Sequence, residues 1–92
     1  MKAEQHKQCI KELMAIPGME RTIADELIVL GVKSPEDFKD KSADRLYKRF
    51  THRTGKNHDL KTLCVFRCAV YYASNLTHEP EKLTWGYWKD HN

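Results

Sequence analysis

Apolar residues recur at helical spacing through most of the chain. Ile10, Leu13 and Met14 stand at i, i+3 and i+4 in Ala3–Met14, which holds neither proline nor glycine, so the period predicts a first helix. Pro17-Gly18 follows Ile16 directly; proline drives its predecessor out of the α region and glycine permits a tight reversal, so the chain turns in a short hairpin. Ile23, Ala24, Leu27, Ile28 and Leu30 renew the spacing from Arg21 to Leu30, and Gly31 stands where a left-handed C-terminal cap belongs.

Ser34-Pro35-Glu36-Asp37 reads as an N-cap, a first-turn proline and two acids facing the positive end of a helix dipole, which opens a short third helix. Ser42 starts a fourth, with Leu46, Tyr47 and Phe50 on one face and Gly55 to stop it. In Asp59–Asn75, the residues Leu60, Leu63, Cys64, Phe66, Val70 and Tyr71 cover so wide an arc that this fifth helix must be largely buried. His78–Asn92 carries Leu83, Trp85, Tyr87 and Trp88 around Pro80 and Gly86, too aromatic for a free end, and is expected to dock on the helices. Strand-like alternation lasts four residues nowhere. The expected fold is all-α, a compact domain of five to six helices, divided into a helical hairpin (1–32), a connector helix (33–41), a second helical pair (42–76) and an aromatic tail (77–92).

Composition narrows the function classes. Ninety-two residues support one core, so a multidomain enzyme is excluded, and 40% hydrophobic content is too high for obligate disorder. The three cysteines, Cys9, Cys64 and Cys68, are too few for a secreted disulfide framework, and no apolar run is long enough to span a bilayer. A soluble protein of the reducing cytoplasm is expected, without membrane contact. The net charge of +3 decides nothing, but its distribution does: Lys39–Lys61 holds eight basic residues against three acids, a local +5. Arg45, Lys48, Arg49 and Arg53 follow one another at three- and four-residue steps, which predicts one continuously positive helix side. A merely solvated helix face is the plainer alternative.

The run Leu13-Met14-Ala15-Ile16-Pro17-Gly18-Met19-Glu20-Arg21-Thr22-Ile23-Ala24-Asp25-Glu26-Leu27, continued to Gly31-Val32, resembles a helix-hairpin-helix motif. Only the second hairpin glycine is replaced, by Glu20. Phe50 to Gly55 weakly repeats the five-residue step of Leu13 to Gly18 and is followed by a long apolar helix, so the spacing allows a second, degenerate hairpin, which would put Lys56-Asn57-His58 at a second phosphate site. With Val65-Phe66-Arg67-Cys68-Ala69-Val70-Tyr71-Tyr72-Ala73 and Trp85-Gly86-Tyr87-Trp88-Lys89-Asp90, the chain is similar to a family of small bacterial helix-hairpin-helix proteins named for a pathogenicity locus and for mitomycin resistance. That resemblance implies DNA binding, and a role in DNA repair or protection.

The motif's physics agrees, because a Pro-Gly turn leading into a helix offers unpaired N–H groups at a positive dipole end, where a phosphate can sit. Such contacts carry no base information, so gripping of duplex or branched DNA by its backbone is expected. The candidate DNA-binding residues are Pro17, Gly18, Met19, Glu20, Arg21 and Thr22 of the hairpin, with Arg45, Arg49, Arg53, Gly55, Lys56, Asn57 and Lys61. Glu20 is the adverse member, since it can cap or lie against the following helix and repel a phosphate.

Other chemistry is thin. Cys64 and Cys68 are one turn apart in an apolar helix, where cysteine acts as a small hydrophobe, so zinc completed by Cys9, His52 or His58 is not expected, nor is any other cofactor. No spacing implies a nucleophile with its base and orienting partner, so a non-enzyme is expected. The tryptophans are read as core closure rather than base-stacking platforms. The rival to DNA binding is a protein-interaction module on the same scaffold, docking on a partner through the tail or the fifth helix.

Overall fold

The computed structural model describes residues 3–55 and 60–90. Among these the chain forms four α-helices, α1 (Ala3–Leu13), α2 (Arg21–Val29), α3 (Ala43–Thr54) and α4 (Leu60–Ser74), and no strand. Three 3-10 segments, Pro35–Phe38, Pro80–Leu83 and Trp85–Lys89, complete the secondary structure. The described residues are all-helical as expected, with four α-helices where five to six helices were expected. The connector is one 3-10 turn, because Lys39 has already left the helical region (ψ 127°) and Asp40 takes a left-handed φ of 59°, which a short polar side chain tolerates. The Asp40 N–H donates to Ser74 Oγ at 3.2 Å, tying the connector to the end of α4.

The helix stops follow from single residues. Ser42 Oγ accepts the Arg45 N–H at 3.3 Å, the N-cap expected for α3. At the end of α2, Gly31 has φ 92°; its N–H reaches Ile28 O at 3.0 Å and the Val32 N–H reaches Leu27 O at 2.9 Å. This pair of bonds is a Schellman motif, with the buried Val32 and Leu27 as its apolar partners.

Helix α4 is the wall on which α3, the connector and the tail lean, while α1 packs on α2 and α2 on α3. Cys64, Val65, Phe66, Cys68 and Ala69 are buried, and Phe66 lies among Phe38, Tyr47 and Phe50 with ring centroids 6.3, 6.3 and 5.3 Å away. Leu13, Ile16, Ala24, Leu27 and Leu46 continue this cluster into α1, α2 and α3. A second cluster, Cys64, Cys68 and Trp88 with Tyr71 and Tyr87, forms where the tail packs on α4. Polar bonds fix that packing: Trp88 Nε1–H donates to Lys82 O at 2.9 Å, Arg67 to Trp88 O at 2.9 Å, and the Glu79 N–H to the Tyr71 hydroxyl at 2.8 Å. The radius of gyration, 12.4 Å, is close to the roughly 12 Å of a compact chain of this length, so the tail is part of the body.

Candidate nucleic-acid interface

The α1–α2 connection is a tight turn anchored at both ends. Met19 N–H donates to Ile16 O at 3.1 Å across Pro17-Gly18, and Gly18 has φ 83°, the pattern of a type II turn with proline second and glycine third. Ile16 and Met19 are buried, which holds the exposed Gly18 at the surface. A Cβ on Gly18 would lie 3.3 Å from Val65 Cγ2 and 3.4 Å from Trp85 Cδ1, so close approach as well as φ favours glycine. Of the six hairpin candidates, Met19 can offer only its backbone, since its side chain belongs to the core.

Glu20 is the N-cap residue of α2, extended at φ −115° and ψ 150°, but its side chain makes no capping hydrogen bond. Of the two expected roles, capping the helix or lying against it, the capping hydrogen bond is not made. The carboxylate turns instead to Lys61 at the start of α4, with Oε1 3.3 Å from Nζ. The first turn of α2 holds no acid, and Arg21 and Thr22 are exposed there. Among the described residues, the N-cap side chain and the first turn of α2 thus leave the positive end of the dipole uncapped beside the turn.

Helix α3 runs antiparallel along α2, and its cations meet α2 at successive levels. Arg49 donates through Nη2 to the C-cap carbonyl of Leu30 at 3.3 Å, and Arg53 Nε lies 3.9 Å from Glu26 Oε2 one turn back. Lys61 then meets Glu20 at the N-terminal end, so Arg49, Arg53 and Lys61 mark a row down one side of α2. Arg45 and Lys48 are exposed earlier on α3. Both carboxylate pairs are at least one-third exposed on each partner, and such pairs contribute about 0–1 kcal/mol. A phosphate can thus recruit these cations at little cost.

Gly55 caps α3 with a left-handed φ of 68°, but nothing described lies within 4 Å of a Cβ placed there, unlike Gly18. Lys56, Asn57 and His58, the candidate second phosphate site, lie outside the described residues.

Trp85, read from the sequence as core closure, stands instead at the edge of the Pro17-Gly18 turn. It is 37% exposed, packs against Gly18, and holds Lys61 Nζ over its ring at 5.6 Å from the centroid. Trp88, three residues on, is buried as expected. Nothing in the pattern around Gly86 separates the two rings; only the placement of the turn does.

Elsewhere, burial pushes the Cys68 thiol up to about 11, while Cys9 is half-buried against the main cluster. A cleft of about 330 Å³ lies between the start of α3, the second half of α4 and Trp88, remote from the hairpin. Its half-buried Arg67 already serves Trp88 O and, at 3.7 Å, Asp44.

Fold and site together define a small all-helical protein with an uncapped helix N-terminus beside a row of cations. The chain belongs to the Pathogenicity locus (Cdd1) family, whose model matches residues 6–92, from within α1 through the tail. No curated protein and no solved structure matches it. Among the described residues no helix is long and apolar enough to cross a membrane.

Proposed function

We propose that this protein is a helix-hairpin-helix DNA-binding protein that grips the phosphate backbone without reading sequence. The supporting observation is the uncapped N-terminus of α2 directly after the Pro17-Gly18 turn, flanked by Lys61 and Arg53. Backbone N–H groups at a dipole's positive end hold one phosphate, and the cations take its neighbours along the strand. Binding needs no cofactor and involves no catalysis. The role proposed is in DNA repair or protection in the bacterial cytoplasm, in keeping with the resemblance to proteins named for mitomycin resistance.

Fluorescence anisotropy with labelled duplex at two salt concentrations tests this, because a protein that neutralises several phosphates must lose affinity steeply as salt rises. A second reading, an interaction module that docks on a protein partner, draws support from Glu20 and Glu26, which neutralise two cations of the row. Absent or salt-independent DNA binding supports that reading and removes the first.

A further inference from the structure

The two indoles of the tail have opposite environments. Trp88 is 8% exposed with its N–H satisfied by Lys82 O, whereas Trp85 leaves 37% of its surface in water. Burying apolar area gains about 25 cal/mol per Å², so a tryptophan that serves packing alone is better placed inside. Trp85 is nonetheless held firmly: its Cδ1 and Cβ abut Gly18, within 3.4 and 3.6 Å of where a Cβ would stand. Lys61 Nζ over the ring and Glu20 on that same ammonium complete a cluster at the mouth of the hairpin.

We propose that Trp85 is a base-stacking platform and that the preferred ligand is DNA carrying an unpaired base next to a duplex, a choice that rests on the DNA reading above. An indole with 37% of its surface in water has area to give to a stacking partner, whereas a base inside an intact duplex is already stacked on both of its faces. An unpaired base has a face to give, and stacking on an aromatic side chain contributes about 1–3 kcal/mol per base. The nearby phosphate of the same strand falls to Lys61, whose partners among the described residues are an exposed carboxylate and the ring. Matched duplex uses the backbone contacts alone.

The test compares a matched duplex with the same duplex carrying one bulged thymine. The native protein is expected to bind the bulged DNA about tenfold more tightly. A W85A variant, folded by circular dichroism, is expected to bind both as the native protein binds the matched duplex, and W85F to keep part of the preference. Because the ring abuts Gly18, tryptophan emission of the native protein provides an independent readout. It is expected to be quenched saturably by bulged DNA, and this quenching is expected to vanish in W85F, where Trp88 alone emits. Equal native affinity for the two DNAs, discrimination retained in W85A, or binding without quenching overturns the proposal while DNA binding stands. No binding of either DNA at low salt removes the DNA reading itself.

Discussion

An alanine at position 18 meets two separate penalties: a backbone φ of 83°, which costs an L-residue about 1–2 kcal/mol, and a Cβ 3.3 Å from Val65 Cγ2. G18A is therefore expected to destabilise by about 1–3 kcal/mol and to lower the melting temperature by several degrees, read in a thermal unfolding scan. An unchanged midpoint would show that the turn relaxes freely. Glu20 two residues later has the opposite balance. Its pair with Lys61 is exposed on both sides and contributes at most about 1 kcal/mol, so removing it leaves the fold nearly untouched. What it frees is Lys61, and what it removes is a carboxylate repelling an incoming phosphate. E20Q is expected to raise duplex affinity severalfold at low salt, and E20G to raise it further by also slimming the turn. If both bind within error of the parent, residues 17–22 are only a turn, and the interaction module becomes the better reading.

Helix α3 shows what an element discloses in sequence and what it withholds. Its start at Ser42, its stop at Gly55 and its buried Leu46 and Phe50 were legible, because capping chemistry and a 3.6-residue period are local properties. The same locality made α1, α2, the buried α4 and the docked tail legible. The connector's start was legible at Ser34, Pro35 and two acids, but its 3-10 form and single turn were not, because those residues mark where a helix begins and not how far it runs; Asp40 in the left-handed region follows its end. The basic side of α3 was legible as charge, but its facing partners were not, since Leu30 and Glu26 approach from 19 and 27 residues away in sequence. Those partners set the expected result for the element. R49A/R53A should lower the slope of log affinity against log salt by about two, equally for DNAs of different sequence. Its melting temperature should stay within a few degrees of the parent, as both contacts are exposed. An unchanged slope would leave these arginines as staples between α2 and α3 and nothing more.

At the scale of the molecule, α4 separates two apolar clusters, and the smaller one exists only while the tail is in place. W88A is expected to cost about 3–5 kcal/mol, a large part of the 5–15 kcal/mol that a domain of this kind has to lose, and chemical denaturation measures it directly. The thiol of Cys68 shares the Lys82 carbonyl with the Trp88 indole, at 3.6 and 2.9 Å, and burial raises its pKa from 9.0 to about 11. The sign follows: the folded state holds the proton more tightly than the unfolded one, so this stabilisation is complete below pH 9 and is lost as pH rises through 11. The native protein should therefore lose stability over that interval more steeply than C68A, in melts recorded at matched pH values. One consequence reaches beyond equilibrium. With the tail seated, Cys64 and Cys68 are sealed from solvent, whereas Cys9 is half open. Detaching the tail alone uncovers two thiols one helical turn apart while the larger cluster stays shut, so alkylation of that pair keeps time for a partial opening that leaves most of the helix content unchanged. Mass spectrometry of the labelled chain should show Cys9 modified early and the other two together, at a rate set by how often the tail lifts.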